Sequence, residues 1–413
     1  MSGSTKFPES QEALEAQPVA GANVQRRRRR PLLAAIERFP PTYFAICMNA
    51  GIISILLHQL PYNFSGQRVL STIAYLTNVV LFIIFSIFMT ARLLLFRRNA
   101  LHSIAGNIEQ LCFTACWPIA WLTIAAGTGL VVSQASWAGY RWTVVAYAFW
   151  WVGAAWVFVT GLIVYTTLFR KNLLSLHNAT PALMIPAVGV ATAASTGGVV
   201  INYSSGITAT LQVPVIIVGY LLLGQGLFLS LVLYTIFLLR LFTEGYVVAE
   251  KMPSLILLLG PVGQGATALL VLSSAAETAG AFAHYHEGTF LQANAALALA
   301  VASTMLSLLL FGFGVFLLCF SLLAIAETMW KRELKWTMTM WSTIFPLGMW
   351  TMNTAMLVYA TEMNSPAWRV LTAALLLVLV IDFLVCAGYT IYGVVCGDLL
   401  IPKDARKPGK DKL

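Results

Sequence analysis

Residues 341–357 read Trp-Ser-Thr-Ile-Phe-Pro-Leu-Gly-Met-Trp-Thr-Met-Asn-Thr-Ala-Met-Leu. The stretch is apolar enough to lie in a membrane, yet Pro346 and Gly348 interrupt it, and Thr343, Thr351, Asn353 and Thr354 stud it with hydrogen-bonding groups. Proline inside a helix removes an amide donor and frees the carbonyl four residues back, here that of Ser342, so the spacing predicts a kinked helix. Irregular backbone survives at membrane depth only where protein or a water-filled cavity covers it. A helix of this kind is expected to line something.

The rest of the chain repeats the design. Of 413 residues 59% are hydrophobic and 10% charged, too apolar a balance for a soluble domain, and mean hydropathy is +0.80. The fold class is therefore an all-α polytopic membrane protein. Ten spans can be read, near 41–60, 69–96, 109–134, 142–168, 182–203, 211–242, 255–276, 291–326, 336–361 and 367–397. Odd spans carry proline near one end, at Pro41, Pro118, Pro186, Pro261 and Pro346, and are expected to be kinked there. Even spans are longer, richer in Leu, Ile, Val and Phe, and suit contact with lipid.

At helical spacing each odd span shows one small or polar stripe. The stripes are Gly51, Ser54 and His58; Thr123, Gly127 and Gln134; Thr192, Ser195, Thr196 and Asn202; Gln264, Thr267 and Ser274; and Thr343 with Thr354. Small residues also permit close helix packing, so any single stripe has two readings. Five in alternate spans suggest five helical hairpins in a quasi-five-fold ring, with the odd helices inside around a central pore. Asn49 joins the expected lining.

Charge placement orients the chain. With the N-terminus in the cytoplasm, 22 of 25 Lys and Arg fall in cytoplasmic segments, and only Arg68, Arg141 and Arg369 fall outside. Three regions follow: a basic, largely disordered tail (1–37), a ten-helix domain (38–400) and a basic C-terminal tail (401–413), both tails cytoplasmic. The run Arg26-Arg27-Arg28-Arg29-Arg30 beside the first span suits anionic lipid rather than nucleic acid.

No Lys or Arg lies in the middle of an odd span. Selectivity is expected instead from helix ends that expose amide donors after each proline, together with Ser, Thr and Asn groups, an arrangement suited to a small anion. A dicarboxylate would be expected to need two separated cationic or donor clusters. Asp382 is the one charged residue deep within a span. It could couple transport to protons, or simply bond a neighbouring helix. His58 could sense pH near the outer end of the first span. The six cysteines suggest no disulfide framework, and no metal site or cofactor is implied. Scattered histidines and a lone aspartate argue against a membrane enzyme.

Three strings carry a family likeness: Met-Asn-Ala-Gly-Ile-Ile-Ser-Ile-Leu-Leu from Met48, Leu-Pro-Tyr from Leu60, and Ile-Phe-Pro-Leu from Ile344. With them the chain resembles the tellurite-resistance/dicarboxylate transporter (slow anion channel-like) family, most closely its fungal sulfite efflux branch. It departs from a common family form, Met-Gly-Thr-Gly, at Asn49 and Ala50. The resemblance implies five inner helices around a conduit, side-by-side assembly of copies (trimers), and a phenylalanine gate at Phe345. It also implies plasma-membrane efflux of a small oxyanion, sulfite first. A malate carrier or a gated nitrate or chloride channel of the same fold is the alternative.

Overall fold

The computed structural model describes residues 31–359 and 365–396, and no β-strand forms among them. The arginine run and the C-terminal tail lie outside the described residues. In chain order the helices are α1 (Pro31–Arg38), α2 (Phe44–His58), α3 (Gln67–Leu95), α4 (Arg97–Ala105), α5 (Ile108–Phe113), α6 (Cys116–Gly127) and α7 (Tyr140–Lys171). They continue with α8 (Ile185–Tyr203), α9 (Ala209–Glu244), α10 (Leu259–Ala276), α11 (Ala281–Tyr285), α12 (Ala293–Trp330), α13 (Ile344–Tyr359) and α14 (Pro366–Val395). Helix α1 forms within the stretch read as tail and packs along α3.

Nine helical stretches among the described residues are long and apolar enough to cross a membrane, as a multi-pass protein requires. The remaining expected span corresponds to the 3-10 turn Met338–Ser342 and the 16-residue α13, where description stops at Tyr359.

Burial separates the spans as their sequences suggest. The most apolar windows of Pro41–His58 and Ile108–Val132 are 78% buried, and those of Pro181–Tyr203 and Ala249–Ala276 wholly so. In α3, α7, α9, α12 and α14 the figure is only 22 to 39%. Helix α13 is buried at every position from Gly348 to Val358. Helices α2, α6, α8, α10 and α13 are thus inside, while Leu76, Phe228, Leu309 and Leu384 on the others face outward.

Packing follows the same alternation. Helix α2 packs on α6, α6 on α8, α8 on α10, α10 on α13, and α13 back on α2, a closed circuit of neighbours. Each is backed by the next outer helix in sequence: α3, α7, α9, α12 and α14 respectively.

Hydrogen bonds clasp the two sets together. Ser54 and Ser71 exchange bonds with each other's backbone carbonyls, each at 2.8 Å, joining α2 to α3. Trp150 Nε1 donates to the Ala193 carbonyl at 2.7 Å, and Asn353 Nδ2 to Ser307 Oγ at 2.8 Å. Such bonds contribute about 0.6 kcal/mol each on average within a membrane, so they fix register more than they add stability.

The prolines do not kink continuous helices. Each inner α-helix is preceded by a separate turn: 3-10 segments at Pro41–Tyr43, Pro181–Met184, Ala249–Leu258 and Met338–Ser342, and the short α5 before α6. Pro118, Pro186, Pro261 and Pro346 occupy the second or third residue of the α-helix that follows. There an amide has no partner within its own helix, so its loss costs little. The carbonyls and amides at the junction are largely used: Trp117 N donates to Thr114 O at 3.3 Å, Ile119 N to Ala115 O at 3.2 Å and Leu347 N to Thr343 O at 3.4 Å. The expected row of free amide donors is therefore not what these breaks supply.

Candidate functional site

Two small internal cavities lie among the inner helices. The first is bordered by Ala45, Met48, Cys116, Ile119, Ile185, Val188, Leu257, Gly260, Ser342 and Phe345, with Phe113, Trp341 and Pro346. The second is bordered by Ile52, Ile55, Thr123, Ala126, Thr192, Ser195, Gln264, Thr267, Met349 and Met352, with Thr196, Val199 and Phe345. Each has a volume of ≈ 20 Å³, about enough for one water molecule.

The spacing of these residues is the same on all five helices. Steps of three, four and three connect 45, 48, 52 and 55; 116, 119, 123 and 126; 185, 188, 192 and 195; 257, 260, 264 and 267; and 342, 345, 349 and 352. That is one helix face, repeated five times in register. The first two positions border the first cavity, and the last two border the second. Phe345 alone borders both, and it is 1% exposed. Its counterparts one step along the other helices are Met48, Ile119, Val188 and Gly260.

Of the ten polar residues expected to line a path, Thr123, Thr192, Ser195, Thr196, Gln264 and Thr267 border the second cavity. The other four bond elsewhere and border neither. Asn49 Nδ2 donates to the Trp341 carbonyl at 2.7 Å, and Ser54 is taken up by Ser71. Thr343 Oγ1 lies 2.6 Å from Asp382 Oδ2, and Thr354 Oγ1 lies 2.7 Å from Thr372 Oγ1 on α14. A hydroxyl stripe does not say whether it meets a cavity or an outer helix. His58 ends α2, partly exposed, and Asp382 is partly exposed midway along α14; neither borders a cavity.

Most hydroxyl hydrogens of the second cavity are already committed. Thr123 donates to Ala120 O at 2.8 Å, Thr192 to Val188 O at 2.8 Å, Ser195 to Thr192 O at 3.1 Å and Thr267 to Met349 O at 3.1 Å. Thr196 makes no side-chain bond among the described residues. Gln264 Nε2 donates to Ser195 Oγ, while its fully buried Oε1 has no partner.

Polarity alone could not find Ile52, Ile55, Met349 and Met352. Phe345, Met349 and Met352 follow one another at i, i+4 and i+7, so extending a helical face from the Phe-Pro pair would have reached both methionines. Among the described residues no group of three or more His, Cys, Asp or Glu could hold a metal ion.

A polytopic bundle whose buried helices share a cavity bordered by six polar side chains suits a channel or carrier. Residues 38–391 match the model of the SLAC1 family, described as voltage-dependent anion channel, and the chain belongs to that family. It is 27% identical over 368 residues to the sulfite efflux pump SSU1 of Arthroderma benhamiae, covering 89% of this chain and 94% of that one. It is 26% identical over the same length to the SSU1 of Trichophyton rubrum. The malic acid transport protein of Schizosaccharomyces pombe is 22% identical over 318 residues, covering 76% of this chain and 70% of that one. The family and these relatives are transporters and channels, and the chain is not an enzyme.

Proposed function

We propose that this chain carries a small oxyanion, sulfite or bisulfite, out of the cell through a central pore. The five inner helices would form its wall as a quasi-five-fold ring, and the Phe345 ring would close it. The observation that carries this reading is the shared border of Phe345: five helix faces in register pass from one cavity to the other, and only this side chain touches both. A cavity of water size cannot hold a multi-atom anion, so the described arrangement is the closed one. Opening then needs the Phe345 ring to swing or the helices to part.

Recognition would come from polar groups without a fixed cation, since α2, α6, α8, α10 and α13 contain no Lys or Arg. The free hydroxyl of Thr196 can donate. If the Gln264 amide turned about its terminal bond and the Ser195 hydroxyl left Thr192 O to donate to the amide oxygen, the NH2 would sit where the orphan oxygen is now. Two donors would then face the cavity without the desolvation cost of a buried charge. The lack of two separated cationic groups favours a compact oxyanion over malate, although the likeness to a malic acid transport protein keeps a dicarboxylate as the second reading. We place the protein in the plasma membrane with both termini cytoplasmic, its outer helices against lipid and against neighbouring copies, three by family resemblance.

The test is efflux from proteoliposomes loaded in turn with sulfite, malate, nitrate and chloride. The expected outcome is fastest release of sulfite; release of malate well ahead of sulfite would replace the first reading by the second.

A further inference from the structure

Thr343 stands at the break between the 3-10 turn Met338–Ser342 and α13, two residues before Phe345. Its hydroxyl has one hydrogen and two close oxygens: Met340 O at 2.8 Å and Asp382 Oδ2 at 2.6 Å. If Asp382 were ionised, both would be acceptors competing for that single hydrogen. If Asp382 carries a proton, the accounts close. The acid donates to Thr343 Oγ1, Thr343 donates to Met340 O, and Cys386 Sγ, 3.6 Å away, donates to Asp382 Oδ1.

The surroundings agree with a neutral acid. On its own helix the other titratable or charged groups are Arg369, Cys386, Tyr389 and Tyr392. Of the elements packed against α14, the 3-10 turn and α13 offer only Tyr359, at the far end, and α2 offers Cys47 and His58. Helix α12, which meets α14 through Phe311 and Trp368, carries Cys319 and Glu327, and the segment 331–337, which meets it through Trp336 and Tyr389, carries Lys331, Arg332, Glu333 and Lys335. Among the described residues no salt bridge reaches Asp382. Two neighbouring bonds tie the same turn to the same helix region: Trp341 Nε1 donates to Thr390 Oγ1 at 2.9 Å, and the Trp341 ring packs edge-on against Phe383 at 5.4 Å.

We infer that Asp382 and Thr343 are a positioning pair for Phe345, in which a protonated Asp382 holds the hinge that keeps the phenylalanine between the two cavities. Loss of the proton turns the acid from donor to acceptor and draws the Thr343 hydrogen away from Met340 O, which then keeps only the Thr343 amide at 3.2 Å. The turn loosens at the residue that leads into Phe345, and the ring is freed to move. The inference rests on the reading of Phe345 as a gate. It gives Asp382 a role in closure, although that residue borders neither cavity.

Sulfite flux is measured in proteoliposomes with the pH of each side stepped separately from about 5.5 to 8. Wild type is expected to gain flux as pH rises. The bias of one hydrogen bond is about five- to tenfold in the ratio of open to closed forms. Asp382→Asn, whose amide still donates to Thr343 but never ionises, should stay near the low-pH flux throughout. Thr343→Val should conduct at the high-pH level throughout. Phe345→Ala should be open and insensitive to a second Asp382→Asn change.

Phe345→Ala open together with an Asp382→Asn pH profile like that of wild type would overturn the positioning role and leave the gate standing. Phe345→Ala no faster than wild type would overturn the gate and this inference with it. Should Asp382→Asn fail to fold, Asp382→Glu replaces it. A shifted pH profile there supports the pair, and an unshifted one counts against it.

Discussion

An aspartate at position 195 would put a carboxyl where the native side chain is 3% exposed, beside the Gln264 amide and the hydroxyls of Thr192 and Thr196. In so dry a place the neutral acid is favoured, and once ionised its field would reach any anion that entered. Ser195→Asp is expected to lower flux at least about a hundredfold once the pH is high enough to ionise it, the effect of only ~3 kcal/mol of repulsion. Flux assays on vesicles with matched protein content check this; unchanged flux would remove Ser195 from the path. Polar residues in an apolar span are visible in sequence, and that made Thr192, Ser195, Gln264 and Thr267 legible. Ser54 and Thr354 sent the same signal for another reason, because each bonds an outer helix whose position only the fold supplies. Phe345 was legible through the Phe-Pro pair and the family likeness; its contact with both cavities depends on four other helices.

Among elements, α10 and α13 approach so closely that a Cβ on Gly263 would lie 2.7 Å from the backbone nitrogen of Trp350. A main-chain atom cannot step aside as a side-chain tip can. Gly263→Ala is therefore expected to destabilise the fold by about 1–3 kcal/mol, seen as a lower melting temperature in detergent. Gly312→Ala, on the lipid side of α12 with nothing within 4 Å, should melt no lower than wild type. The alternation of inner and outer helices could be read from proline, glycine and hydroxyl content. The form of each break could not. Sequence marks where an α-helix is interrupted, but whether the chain bends or runs first through a 3-10 turn depends on packing. Ala249–Leu258, for example, is covered by α12 and by the turn Met338–Ser342. The difference matters for mechanism, because a 3-10 lead-in occupies amides that a bare helix start would offer to an anion.

At the scale of the molecule, one periodicity organises everything. Steps of three, four and three along five buried helices bring ten residues to each of two cavities, and five exposed helices shield them from lipid. Composition announced the membrane, and the bias of Lys and Arg predicts which side each end lies on. Neither could show the register that brings the five faces level, since register is set by clasps such as Ser54 with Ser71 and Trp150 with Ala193. The most direct test of the central claim is sulfite flux through purified Phe345→Ala in proteoliposomes, beside wild type of equal melting temperature and elution. Removing the ring joins the two cavities, so flux should rise about tenfold or more, as expected when ~1.4 kcal/mol or more of closing bias is lost. A variant that folds like wild type and passes sulfite no faster would contradict the account.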